Sequence, residues 1–405
     1  MEVHGGYAGN ILEIDLSAQR ISRTPLPTQY REQLLGGKAL AAQVLFNCMT
    51  GRETALSEEN PVVIAAAPLT GTGAPGSSRF DMASLSAKDD LPAFSNCGGD
   101  FGLHLKRAGY DLLILKGKCD RPRWLEISGE TVIFHDAANL WGMGTGACRE
   151  RLKEVLGKRS FGSLCIGPAG EHLVKFASVM ADGHSTGRAG LGAVLGWKHI
   201  KAITLEGNKK IPLHDPEAVL EVNRHWYTRL RQLALEESGV AYCTACPLHC
   251  VRHSRGGDPI LEELGMDAIA AETAAQCAAA QGMNIPDIYR AIAFRQGVGD
   301  RLAEGVDASK GKGGKRRNVS YVRIMEAFAL PEDAASDFCK NFTEAVSVCG
   351  QCMFTVNALR PGMEELPLLI LLKNVTGKSL DLQGLLTIGA HSRNLEQTLR
   401  KRFEK

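Results

Sequence analysis

Cys243, Cys246 and Cys250 lie in a C-x-x-C-x-x-x-C run, and Cys352 follows about a hundred residues later. Three thiols that close in sequence form a pre-clustered soft-metal site that needs one more ligand from elsewhere in the fold. Iron–sulfur clusters are held by four cysteine thiolates in this style, three local and one remote. On that reading the chain moves electrons. A Cys₄ zinc site stays open beside it, because Cys349-Gly350-Gln351-Cys352 supplies a second C-x-x-C unit and structural zinc uses such pairs. Cys48, Cys119, Cys148, Cys165, Cys277 and Cys339 read as small apolar residues, and packing is the plainer role for Cys97.

Three glycine-rich clusters form the second set of candidates. They are Leu69 to Arg79, Asn96 to Gly102, and Asp182 to Gly192. Each combines glycines with an Arg, an Asn or a hydroxyl. Backbone N–H groups freed by glycine, together with an arginine fork, suit phosphate oxygens. Tight β-turns are the plainer alternative for any one cluster. No strand, G-x-G-x-x-G, helix and downstream acid occur in order, and no G-x-x-x-x-G-K-[ST] is present. His184 sits in the third cluster and His249 in the cysteine run, where local hydrogen bonding is the simpler role.

The elements that must position these residues change character along the chain. Up to about residue 207 the pattern is β-rich. Val62 to Ala66 is a short apolar run closed by Pro68 and Gly71, as in a buried strand. Leu112 to Leu115 is similar, and Trp124 to Ile127 with Thr131 to Phe134 reads as a hairpin. Further strands are expected over Ser163 to Ile166, Lys175 to Met180 and Ile200 to Leu205, and one helix near Tyr30 to Met49. From Asp215-Pro216, an N-cap and first-turn pair, the texture turns helical. Val219, Val222, Trp226, Leu230 and Leu233 put one apolar stripe on a helix that Gly239 ends. Helices are also expected over Met266 to Gly282, Ile285 to Phe294, Ala334 to Val348, and Asp381 to the end. The expected fold is α+β: a β-rich N-terminal domain over residues 1–208 and a mostly helical region over 209–405.

Composition excludes several classes. Forty-seven basic against 45 acidic residues give a net charge of +2, which argues against a general nucleic-acid binder. The run Lys310, Lys312, Lys315, Arg316 and Arg317, interleaved with glycine, reads as a solvated loop, with a docking patch for an acidic partner as the sharper reading. No secretory signal is seen at the N-terminus, and no apolar run approaches the ~20 residues a membrane span requires. Twelve cysteines without an export signal favour reduced thiols and metal ligation in a cytoplasmic protein.

Taken together, the clusters and cysteines resemble the aldehyde:ferredoxin oxidoreductase family, the tungsten-pterin enzymes. The resemblance runs over residues 5 to about 207. It is carried by Gly9 to Ser17, Ala67-Pro68-Leu69-Thr70-Gly71-Thr72, Ala108-Gly109-Tyr110-Asp111, Ile166-Gly167-Pro168-Ala169-Gly170-Glu171 and Gly190 to Gly196. Further on, Cys243 to Cys250, Gly297 to Gly305 and Cys352-Met353-Phe354-Thr355 match in pieces.

The resemblance implies a two-sheet N-terminal base carrying two molybdopterins, with tungsten or molybdenum, and magnesium bridging the pterin phosphates. Arg79 would contact a phosphate, Asn96 would ligate magnesium, Gly98 would let the backbone approach, and Arg188 matches an arginine of the third cluster. Cys243, Cys246, Cys250 and Cys352 would hold one 4Fe-4S cluster. The pterin motifs take the forms Glu262-Glu263-Leu264-Gly265-Met266-Asp267 and Ser347-Val348-Cys349-Gly350-Gln351-Cys352, so that Asp267 and Gly350 are the matching positions. The implied reaction oxidises a small aldehyde to a carboxylic acid, with electrons leaving through the cluster to ferredoxin or another iron–sulfur carrier. A homodimer or a subunit of a larger redox complex is the expected assembly.

The chain departs from the family pattern in five places, one of them the third cluster, which is slightly shorter and holds Ser185 just after the His where the family usually has another arginine. Glu262 and Ser347 stand where each pterin motif opens with Asp, and a serine lacks the ionised acceptor of a carboxylate. Only eleven residues separate Cys250 from Glu262, and Val306 to Phe342 contains no histidine. The family's acid/base segments therefore have no clear counterpart, although Glu262 or Glu263 could stand in. These departures favour a second reading, an electron-transfer or scaffold subunit that lacks turnover.

Overall fold

In the computed structural model the described residues are 5–157, 160–186, 190–232, 243, 245–247, 282, 324, 328, 335–353, 355–356 and 366–404. Two six-stranded mixed sheets form the N-terminal half. The first comprises β1 (Asn10–Asp15), β2 (Arg20–Pro25), β3 (Val62–Ala65), β4 (Phe80–Leu85), β5 (Pro92–Cys97) and β6 (Leu112–Lys116), in the order β2-β1-β6-β3-β4-β5. Only β1 and β6 pair in parallel in this sheet. The four residues of β3 are all buried. That is why the sequence there is continuously apolar rather than alternating: a central strand covered on both faces has no polar side. Asp111 fixes the start of β1 by accepting the Ala8 and Gly9 amides.

The second sheet comprises β7 (Arg123–Ser128), β8 (Thr131–Asp136), β9 (Gly162–Ile166), β10 (Val179–Ala181), β11 (His184–Ser185) and β12 (Ile200–Glu206), in the order β11-β10-β9-β12-β7-β8. The expected hairpin is β7–β8, closed in antiparallel register from Arg123↔Asp136 to Ser128↔Thr131. Strand β10 is shorter than the expected 175–180 segment and starts at Val179.

Six helices accompany the sheets: α1 (Thr28–Leu34), α2 (Gly37–Cys48), α3 (Phe101–Ala108), α4 (Thr145–Leu156), α5 (Pro168–Glu171) and α6 (Leu191–Trp197). The single helix expected near Tyr30 to Met49 is thus two. Leu35 takes a positive φ of 60°, and the Gly37 amide turns to the Ala66 carbonyl at the end of β3. A tertiary hydrogen bond therefore ends the first helix.

Four more described helices follow: α7 (Pro216–Gln232), α8 (Ala335–Cys349), α9 (Pro367–Thr376) and α10 (Leu382–Lys401). The expected cap is present at α7, where Asp215 Oδ1 accepts the Ala218 amide at 3.0 Å. Val219, Trp226 and Leu230 are buried along its predicted stripe. Asp381 caps α10 in the same way through the Gly384 amide. The helices expected over 266–282 and 285–294, and the close of α7 at Gly239, lie outside the described residues. Helices α8 and α10 pack on each other and on α2, so the apolar core runs without a break from the first sheet into the helices. No helix among the described residues is long and apolar enough to cross a membrane.

A candidate thiolate and cofactor site on two glycine-rich loops

The first glycine cluster is the loop from β3 to β4, and the C-terminal turn of α8 is laid directly on it. Leu69 N donates to Cys349 O at 3.1 Å, and Cys352 N donates to Gly76 O at 2.9 Å. Gln351 Nε2 reaches the Pro75 carbonyl. Gly350 makes the turn possible: its φ is +84°, and a Cβ there would come within 2.7 Å of Thr70 Oγ1 and 2.8 Å of Ala67 Cβ. Cys352 is therefore held in place by main-chain bonds, next to the loop that ends in Arg79.

The second cluster follows β5 and receives Cys243. A Cβ on Gly98 would sit 2.5 Å from Cys243 Sγ, so only glycine leaves room for the thiol. Burial pushes the Cys243 thiol up, while the Gly99 backbone, Arg79 and Ser78 pull it down and Cys352 opposes them. Asp182 ties the third cluster to this loop: its Oδ2 accepts the Asp100 amide at 2.9 Å, and its Oδ1 accepts the Ser163 amide at 2.7 Å.

Arg79 stands between the two loops. Burial works against its charge, but Cys352, Cys97, Cys243 and Asp81 together hold it above the usual arginine value. Its Nε donates to Asn96 Oδ1. Asn96 Nδ2 in turn donates to Asp81 Oδ1 at 3.1 Å and Ser347 Oγ at 3.3 Å. The Asn96 oxygen keeps one further lone pair, so it can meet a cation without releasing Arg79.

Sequence reasoning missed Asp81. It is 1% exposed, and its Oδ2 has no hydrogen-bond partner. Desolvation raises its pKa to about 7 against the opposing pull of Asn96. Its Oδ1 lies 3.5 Å from Ser347 Oγ, so a carboxyl stands beside the very position where the family motif loses one. The available signal was a lone acid inside the apolar run Phe80-Asp81-Met82-Ala83. Also missed was the clamp in which Lys38 joins Glu344 at 3.0 Å and Glu396 at 2.6 Å, binding α2 to α8 and α10.

Of the expected ligands, Cys243, Cys246 and Cys352 are described. Cys246 follows Cys243 in a turn closed by Cys246 N donating to Cys243 O at 3.1 Å. Cys250, Arg188 and Asp267 lie outside the described residues. Among the described residues no group of three or more His, Cys, Asp or Glu gathers as a metal site. What does gather is the pair Cys243 and Cys352 with the Arg79 guanidinium. Soft thiolates beside a buried cation suit an iron–sulfur cluster, because the cation stabilises the ligands' negative charge.

Part of the third cluster has a different use. A Cβ on Gly196 would lie 2.0 Å from Gly170 O, and one on Gly170 would lie 2.7 Å from Gly192 O. These glycines let α5 and α6 pack backbone against backbone. The Lys201–Glu171 ion pair, 0% and 1% exposed, closes the same region.

Comparison with known proteins agrees with this architecture. Residues 11–207 match the model of the family described as aldehyde ferredoxin oxidoreductase, N-terminal domain. The chain is 35% identical over 251 residues to a tungsten-containing aldehyde ferredoxin oxidoreductase of Pyrococcus furiosus, covering 62% of this chain and 42% of that protein. The corresponding protein of Thermococcus kodakarensis is 34% identical over the same shares. An aliphatic sulfonate oxidoreductase, WOR-like subunit, of Pyrococcus furiosus is 30% identical over 63% of this chain and 43% of its own length. The chain thus spans about two fifths of the length of the curated relatives it matches. A chain of the active site complex BamBC of benzoyl coenzyme A reductase, solved with 1,5-dienoyl-CoA, superposes with a TM-score of 0.80 at 19% identity. The superposition covers 99% of this chain and 90% of that one, and it shows a shared fold.

Proposed function

We propose, for a chain that belongs to the aldehyde ferredoxin oxidoreductase family through residues 11–207, that it is a redox protein with a 4Fe-4S cluster on Cys243, Cys246, Cys250 and Cys352. The observation that carries this reading is that Cys243 Sγ and the Arg79 guanidinium both crowd Gly98, while Cys352, from a distant part of the chain, is bonded to Gly76 on the loop that ends in Arg79. Residues 1–208 act as the base and 209–405 bring the ligands to it.

The same region would seat a tungsten or molybdenum bis-molybdopterin with magnesium at its phosphates. Arg79, Asn96, Gly98 and Arg188 would hold the phosphate side, and Asp267 and Gly350 would meet the pterins. That group supplies two-electron oxygen transfer, and the implied substrate is a small aldehyde oxidised to its acid. The chain's own residues would place and enclose the group and hold positive charge at Arg79. Electrons would leave through the cluster to ferredoxin or another iron–sulfur carrier.

A second reading, an electron-transfer or scaffold subunit of a larger redox complex, is supported by the eleven-residue span between Cys250 and Glu262 and by the absence of histidine from 306–342. Protein purified anaerobically from its native source should contain iron and acid-labile sulfide, together with tungsten or molybdenum. Zinc without iron would sink the cluster reading. A loaded protein with which none of the aldehydes tested supports viologen dye reduction would leave the subunit reading standing.

A further inference from the structure

On the outside of the first glycine cluster lies a cationic cleft that the cluster reading does not use. Two adjoining cavities of about 450 and 440 Å³ share Arg107, Gly207, Asn208 and Lys209 as walls. The first extends past Lys210 to Gly71 and Thr72, and the second extends to His104 and Ser160. Each is within the size range of pockets that take small molecules.

The local fold fixes the cations on one lip. Gly207 crosses the end of α3 so closely that a Cβ would lie 2.1 Å from the Ala108 amide nitrogen. Immediately after it, Lys209 N donates to Arg107 O at 3.0 Å. Arg107, Lys209 and Lys210 are exposed, and none forms an ion pair with a described carboxylate. Glu206 is the one acid in either lining. His104 is 3% exposed, with Nε2 3.3 Å from Ser160 Oγ and Nδ1 without a protein partner. Three unneutralised cations on a preformed rim favour an anion with several oxygens, because guanidinium and ammonium donors make charge-assisted bonds to phosphate. Either cavity is far larger than one phosphate.

We infer that this cleft binds a phosphate-bearing small molecule of nucleotide size, with its phosphates on Arg107, Lys209 and Lys210 and its organic part toward His104 and Ser160. This inference does not rest on the cluster or on the pterin.

Calorimetric titration of the full chain with ADP and with inorganic pyrophosphate tests it. Both should bind saturably, ADP the tighter. The variant Arg107→Gln/Lys209→Gln/Lys210→Gln should weaken each at least tenfold with an unchanged melting curve. Absence of binding, or equal binding by the variant, would overturn the proposal. ADP binding no tighter than pyrophosphate would overturn the seat for an organic part. A cleft that engages only an acidic protein would replace the small molecule altogether.

Discussion

The two sheets end in opposite ways. The first sheet runs into loops held open by glycine, onto which the end of α8 is stitched by main-chain bonds at Leu69–Cys349 and Gly76–Cys352. The second sheet is shut. It has its own small core around Trp124, Leu140, Cys148 and Leu152, a fully buried ion pair, and two helices packed glycine on glycine. The glycine strings of this chain therefore serve two purposes. In one region a missing Cβ makes room for the Cys243 thiol, and in the other it makes room only for neighbouring backbone. Stability and site should therefore separate on mutation.

The largest break in that comparison comes from the closed region. Glu171→Met leaves Lys201 charged and buried, and should cost about 3–5 kcal/mol. Chemical denaturation measures this, and surviving molecules should still take up iron and sulfide. A loss below about 1 kcal/mol would mean that the pair is not what shuts the second sheet.

An intermediate effect comes from Lys106, beneath the open region. Its Nζ donates to the carbonyls of Gly6, Ala67 and Pro68, and Asp111 lies 3.7 Å away. Burial lowers its pKa to about 8. The unfolded chain, with the ordinary value near 10.5, then binds more protons between these two values. Stability from this group therefore rises with pH across that window, by an amount on the order of 2 kcal/mol. Denaturation of wild type and Lys106→Met from pH 7.5 to 10 should show wild type gaining on the variant. Parallel curves would refute the buried-charge account.

The smallest effect on stability should be the most damaging to the site. Gly98→Ala places a methyl where Cys243 Sγ sits, yet the thiol can swing away. The melting midpoint should move by less than about 1 kcal/mol equivalent, while the visible spectrum of a reconstituted cluster is lost or altered. An unchanged cluster spectrum would remove Cys243 from the second loop.

Local signals were legible where the chain acts on itself. Strand β3, the β7–β8 hairpin and the Asp215 cap of α7 depend on neighbouring residues, and each was read from spacing and capping chemistry alone. The break between α1 and α2 was not legible, because Ala66, on another element, makes it. Arg79 and Asn96 were found through resemblance, and the structure joins them to one hydrogen-bonded chain with Asp81 and Ser347. Asp81 itself has no motif, since its role arises from burial beside a residue 266 positions away.

The soft donor set, the glycine strings and the change from strands to helices are written in the chain, because these follow from residue chemistry and short periodicities. The fold brings Cys243 beside Arg79 and Cys352 onto the loop that carries it, and it sets which glycines face sulfur and which face backbone. It also decided that a carboxyl on β4 stands where the second motif offers only Ser347. Those outcomes depend on contacts between distant segments, where burial changes what a charge costs and where a missing Cβ matters only for what lies across from it.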